Sequence, residues 1–257
     1  MGTIIAIVNQ KGGVGKTTTA MNLTAALSDL GQKCLFVDLD PQANGTSGLG
    51  LRQNDISHGL YEVLSGERTP HETVRMVDGH GFGIIPATES LAGANVELVN
   101  ADDREYLLER VLGPLKNEYD YIFIDCPPSL GLLTINGLVA ADEILIPVQA
   151  EYFALEGLGQ LVSTIERVRE HIKPTLRIKG AVITMYDKRY YLSENVLWEL
   201  YQHFPGTIFR TVIPRNVRLA EAPSHGKSIF GYDSSSRGAR AYERLAREFL
   251  SLDQPIS

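Results

Sequence analysis

Cysteine is nearly absent: Cys34 and Cys126 are the only two in 257 residues, far apart and in no Cys-x-x-Cys or other metal-like spacing. That excludes a disulfide scaffold and gives no sign of a zinc site. Both sit in apolar, strand-like runs and are expected as buried, reduced thiols of a cytosolic protein. Long hydrophobic runs are missing too. No uninterrupted apolar stretch approaches the roughly 18 residues of a membrane span, and the N-terminus lacks the basic stretch and cleavage site of a signal peptide. Met1-Gly2 opens a myristoylation pattern, but Ala6 stands where that pattern needs Ser or Thr. The six histidines, His58, His71, His80, His171, His203 and His225, are scattered and suggest neither a metal site nor a catalytic pair. Excess positive charge is also lacking: 24 Lys and Arg against 31 Asp and Glu leave a net charge of −7. Taken alone, that balance argues against a nucleic-acid or anionic-membrane partner. A cytoplasmic protein is expected.

What is present describes an ordinary globular chain, 44% apolar and 21% charged, long enough for one or two domains with a sizeable core. Short β-branched or aromatic runs recur at Thr3–Val8, Lys33–Asp38, Phe82–Pro86, Tyr121–Asp125, Glu143–Gln149, Ile178–Met185 and Thr207–Ile213. Several are apolar almost throughout, as strands covered on both faces are. Helical patterns separate them, among them Lys16–Leu30 closed by Gly31, and Leu155–Ile172 closed by Lys173-Pro174. The alternation predicts a mostly parallel sheet flanked by helices, a single α/β domain over residues 1–257. Ser236–Leu250 reads as an amphipathic helix whose polar face mixes Arg240, Arg244 and Arg247 with Glu243 and Glu248, which suits packing on the domain better than a membrane surface.

The strongest signal lies between the first strand and the first helix, in Asn9-Gln10-Lys11-Gly12-Gly13-Val14-Gly15-Lys16-Thr17-Thr18. Successive glycines let backbone N–H groups converge on one anion, and the helix starting near Lys16 adds its positive end. Lys16 is expected on the β- and γ-phosphates of a nucleotide and the Thr17 hydroxyl on Mg²⁺. The strict pattern GxxxxGK[ST] is not met, because its first glycine falls on Gln10. Lys11 instead adds a second lysine.

In open α/β sheets ligands sit outside the carboxyl ends of strands. Three carboxylates qualify: Asp38 and Asp40 in Leu35-Phe36-Val37-Asp38-Leu39-Asp40-Pro41-Gln42, and Asp125 after Tyr121-Ile122-Phe123-Ile124. Mg²⁺ keeps several waters, so Asp38 and Asp125 are expected to act on it mainly through them. Asp40 can point toward the γ-phosphate and orient the attacking water.

Lys-Gly-Gly-x-Gly-Lys-Thr at 11–17 resembles the deviant phosphate loop of the MinD/ParA class of ATPases, and both acidic segments resemble further motifs of that class, the second its Walker B. With the stretches at 38–47, 124–136, 147–157 and 213–227, the resemblance covers nearly the whole chain and narrows to the chromosome-encoded ParA proteins, also called Soj. Chromosomal members have no N-terminal operator-binding domain, and this chain opens directly on its first strand. The resemblance implies a slow Mg²⁺-dependent ATPase that forms a homodimer with ATP, binds double-stranded DNA without sequence preference, and lets go after a ParB-type partner stimulates hydrolysis. It gives Lys11 a reach across the dimer interface to the partner's phosphates. It also assigns Pro214 and Asn216 to the adenine, although their pattern alone reads as a turn. No Asn-Lys-x-Asp guanine motif occurs, so ATP is expected rather than GTP.

A DNA partner requires the net charge to be unevenly spread, and it is. Through Gln160 there are 9 Lys and Arg against 21 Asp and Glu, net −12; beyond it, 15 against 10, net +5. A dimer would place two basic halves side by side, suiting phosphate contacts made by counterion release. Lys188, Arg189 and Arg218 are the candidates, the two arginines also matching DNA-binding positions of the family. Tyr190 and Tyr191 read as packing rather than base stacking. A nucleoid-associated location follows from this reading. Two alternatives stay open: a membrane-recruited regulator like MinD, which would need a Lys- and Phe-rich amphipathic C-terminus, and a metabolic ATP-dependent enzyme on the same scaffold, ligase or iron protein.

Overall fold

The computed structural model describes residues 1–77, 79–151, 154–189 and 191–253, with the side chains of 95, 96, 154–156, 191–195 and 203 left aside. Its strands are β1 (Thr3–Ile7), β2 (Cys34–Asp38), β3 (Arg75–Met76), β4 (Gly83–Ile85), β5 (Tyr121–Asp125), β6 (Glu143–Gln149) and β7 (Arg177–Thr184). They form one sheet in the order β3-β4-β2-β5-β1-β6-β7. All pairings are parallel except that of β3, a two-residue edge strand running antiparallel to β4, which the sequence pattern did not indicate. Since β5 and β6 both flank β1, the chain leaves β5 for the opposite side of the sheet, and the carboxyl end of β1 lies at the switch point where such sheets hold ligands.

Strand residues alternate between two apolar layers. Ile4 and Ala6 of β1 join Leu35, Val37, Ile122 and Ile124 on one face, while Ile5 and Ile7 join Phe36, Phe123 and Leu145 on the other. Both layers exclude water, which explains strands apolar throughout rather than alternating. Cys34 and Cys126 are buried and unpaired; burial pushes the Cys34 thiol up to about 12 and raises Cys126 as well.

One predicted strand does not form. Thr207–Ile213 makes only an isolated bridge, Ala181 with Ile208, and a few hydrogen bonds to β7. The Arg210 and Thr211 amides donate instead to the two carboxylate oxygens of Glu248, at 2.6 and 2.9 Å, so that side chain takes the donors a ladder needs.

Glu248 belongs to the Arg237–Ser251 helix, the predicted amphipathic tail. Ser236 caps it, its hydroxyl accepting the Ala239 amide at 3.0 Å. Ala239, Tyr242, Leu245, Ala246 and Phe249 are all buried, in the layer that contains α1 (Lys16–Asp29). Among the described residues no helix is long and apolar enough to cross a membrane. Phe249 is the centre of this packing, with its ring 5.5 Å from Tyr121, 5.9 Å from Phe123 and 6.4 Å from Phe209. Phe249→Ala is expected to cost about 3–5 kcal/mol of unfolding free energy in urea, against under about 0.5 kcal/mol for Leu252→Ala at a half-exposed position.

Candidate functional site

After β1 the chain turns back through residues 8–15 into α1. Gly13 and Gly15 have φ of 74° and 88°, left-handed values that favour glycine. Gly15 is also the N-cap of α1 and offers no capping side chain, so the first amides of that helix are left for an anion. The loop is fixed from outside. Asn9 donates to the Pro147 carbonyl at 2.8 Å and accepts the Lys11 amide at 3.0 Å, and the Thr184 hydroxyl donates to the Val14 carbonyl at 2.7 Å. Lys16, 7% exposed, curls under the crest and donates to the Lys11 carbonyl at 3.3 Å. Burial lowers the pKa of its ammonium, while Asp125 and Asp40 oppose that shift.

Parallel register sets Asp38 directly beside Asp125 at the ends of β2 and β5. Both are fully buried, yet they are satisfied very differently. One Asp38 oxygen accepts the Thr46 amide and hydroxyl, each at 2.7 Å, and the other accepts the Asp40 amide at 3.2 Å. Neither oxygen of Asp125 has a partner of ordinary hydrogen-bond geometry. Burial raises Asp38 to about 6 against its donors. Burial, reinforced by Asp38, raises Asp125 well above the carboxylate range, with the nearby Thr17 hydroxyl and Lys16 opposing. Two buried, unsatisfied oxygens beside a threonine hydroxyl and a phosphate cradle fit a hydrated Mg²⁺ carried with a nucleotide. Among the described residues no three His, Cys, Asp or Glu side chains converge as direct ligands.

A cleft of about 650 Å³ opens over the loop, lined by Gly12, Gly13, Lys16, Thr17, Asp40 and Asn44 among others. It shares Gly15, Thr18 and Met185 with a second, less polar cleft of about 200 Å³ bordered by Thr184, Pro214, Asn216 and Tyr242. The two clefts are thereby continuous. Pro214 and Asn216 do line the second cleft, and Asn216 also caps the Val217–Glu221 helix by accepting the Leu219 amide at 3.3 Å. Sequence reasoning missed Met185 and Tyr242. A methionine ending an apolar strand looks like core; only its left-handed φ of 51° marks it.

Lys11 does not enter its own phosphate cleft. Its ammonium pairs with Glu151 at 3.1 Å, both side chains being partly exposed. The three DNA candidates lie on adjoining segments, because Tyr186 bridges Pro214 at the end of β7. Lys188 is exposed. Arg189 is paired with Asp187, at 2.6 Å, and Arg218 with Glu221 and Asp233, at 2.9 and 3.6 Å. These carboxylates partly neutralise the patch. Tyr190 lies outside the described residues, and the side chain of Tyr191 does too.

Phosphate loop, buried strand-end carboxylates and a parallel sheet define a P-loop ATPase of α/β architecture. Residues 2–178 match the family model for an AAA domain. The chain is 52% identical over 248 residues to the sporulation initiation inhibitor protein Soj of Bacillus subtilis, covering 96% of this chain and 98% of that protein. It is 49% identical over 257 residues to the chromosome partitioning protein ParA of Myxococcus xanthus, covering 100% and 91%. Among solved structures, cobyrinic acid a,c-diamide synthase from Mycobacterium smegmatis with bound ADP and magnesium is similar, with TM-score 0.86, 37% identity, and 97% and 94% of the two chains covered. The chain belongs to the ParA/Soj family of chromosome-partitioning ATPases.

The carboxylate pair carries a pH signature. A carboxyl whose pKa is raised on folding stabilises the protein at low pH and loses that contribution as pH rises. For Asp38 the loss runs from about 4, its unfolded value, to about 6, and Asp125 extends it upward. Urea midpoints of the nucleotide-free protein should fall from pH 5 to pH 7. Asp125→Asn should flatten that slope and raise the pH 7 stability by on the order of 1 kcal/mol; an unchanged slope would refute the assignment.

Proposed function

We propose that this chain is an ATP-driven switch. With ATP and Mg²⁺ it pairs into a homodimer that binds double-stranded DNA without sequence preference, and a ParB-type partner resets it by speeding hydrolysis. We take residues 1–257 as one ATPase domain, working in the cytoplasm on the nucleoid. The observation that carries this reading is the second lysine of the phosphate loop. Lys16 lies under the loop crest of its own chain, whereas Lys11 pairs with Glu151 at the rim, which supports a reading in which Lys11 serves another copy's nucleotide.

Each chemical role falls on a side chain in the cleft. Lys16 and the amides of Gly12, Gly13, Val14, Gly15, Thr17 and Thr18 bind the phosphates, and Pro214 with Asn216 borders the base. Asp125 and Thr17 would hold the hydrated cation, with Asp38 adding charge beside them. Mg²⁺, when bound, neutralises developing phosphate charge. Asp40, 7% exposed and on the cleft wall, orients the attacking water and receives its proton. Little covalent chemistry is required of the protein, so positioning is most of the catalysis.

The apolar face of the C-terminal helix is buried within the domain, which leaves little for a MinD-like membrane anchor. The similarity to a synthase keeps a metabolic enzyme as the second reading.

Retention of plain duplex DNA should require ATP, fail with ADP or no nucleotide, and weaken steeply with salt in a gel shift. An ATP-loaded dimer that ignores DNA at low salt would remove the partition switch and favour the synthase-like reading. Asp40→Ala should slow hydrolysis by about 10²-fold or more while the ATP dimer persists in sedimentation. Arg189→Ala should keep dimerisation and lower the slope of log affinity against log salt by about one.

A further inference from the structure

The loop from Asp38 to Thr46 is closed by hydrogen bonds to the Asp38 carboxylate. Thr46 sits in α2 (Asn44–Gly48), fully buried, and is absent from the cleft lining. Its amide and hydroxyl both donate to one Asp38 oxygen, and the same hydroxyl accepts the Ala87 amide at 2.9 Å. One side chain therefore joins the end of β2, the start of α2 and the chain leaving β4. The other Asp38 oxygen accepts the amide of Asp40.

Inside this closed loop the backbone is strained. Ala43 has φ 51° and ψ 34°, a left-handed conformation uncommon for a residue with a Cβ, while its amide donates to the Asp40 carbonyl at 2.8 Å. The Asp40 carboxylate in turn accepts the Gln42 amide at 3.0 Å. Such a turn persists only where its surroundings over-determine it. Gly45 lets α2 come close enough: a Cβ there would stand 2.6 Å from the Phe36 ring and 3.0 Å from the bonded Asp38 oxygen.

We propose that Thr46 is a positioning residue for hydrolysis: by clamping Asp38 it holds the strained turn at Ala43 and so fixes Asp40 on the cleft wall. This rests on the role of Asp40 given above. Thr46 acts through Asp38 and Asp40 and contacts neither phosphate nor base.

Thr46→Val keeps the shape and removes the hydroxyl, and Thr46→Ser keeps the hydroxyl. Single-turnover ATP hydrolysis, ATP affinity by titration and urea unfolding of the nucleotide-free protein are measured for both, and for Thr46→Val combined with Asp40→Ala. Expected are a kcat about tenfold lower in Thr46→Val with ATP affinity within about twofold, a rate near wild type in Thr46→Ser, and no further loss when Thr46→Val is added to Asp40→Ala. A Thr46→Val rate near wild type beside an inactive Asp40→Ala overturns the proposal alone. So does a loss that multiplies onto that of Asp40→Ala, or an ATP affinity and urea midpoint that fall in step with the rate in both Thr46 variants. Full hydrolysis by Asp40→Ala overturns the reading of Asp40, and the proposal with it.

Discussion

Two carboxylates are forced together in a place without water. The parallel pairing of β2 with β5 aligns Asp38 with Asp125, and the two apolar layers bury both. Like charges at such separation in low dielectric repel strongly. The structure resolves this asymmetrically. Asp38 receives three donors from its own loop, whereas Asp125 receives none of ordinary geometry and relies on Lys16 and Thr17 nearby. In the proposed reading, an incoming cation would relieve an existing electrostatic cost instead of creating one.

The elements around that pair are tied to the loop by single polar contacts reaching far along the chain. Thr184 holds Val14, Asn9 holds Pro147, the Thr19 and Tyr242 hydroxyls meet at 3.2 Å, and Asn22 accepts the Ile229 amide at 2.7 Å. Each of these side chains is buried and so cannot trade its partner for water at low cost. These contacts tie the phosphate loop and α1 to β6, β7 and the C-terminal helices, the segments next to Pro214, Asn216 and Arg218.

The phosphate loop, the strand-end aspartates and the sheet class were legible in the sequence because they depend on short spacings: glycines before Gly15-Lys16-Thr17, or an apolar run ending in Asp125. What stayed hidden depends on distant partners. Nothing local says that Asp38 and Asp125 share a register position, since that follows from the sheet order. Thr207–Ile213 has a strand's composition, yet Glu248 takes its amides. Met185 and Tyr242 border the less polar cleft while looking like core. Lys11 was readable as an extra lysine, but its pairing with Glu151 spans 140 positions.

That ion pair has a kinetic meaning. Lys11 and Glu151 are 35% and 45% exposed, so their attraction is screened and worth on the order of 0–1 kcal/mol. A lysine stored this way keeps its hydration and its counter-charge until another acceptor arrives, and exchanging one carboxylate for a set of phosphates then proceeds without stripping a buried charge. In the proposed dimer, association would start from a low barrier at this residue. The exchange would be as easily reversed once the phosphate leaves, which suits the proposed cycle of repeated assembly and release.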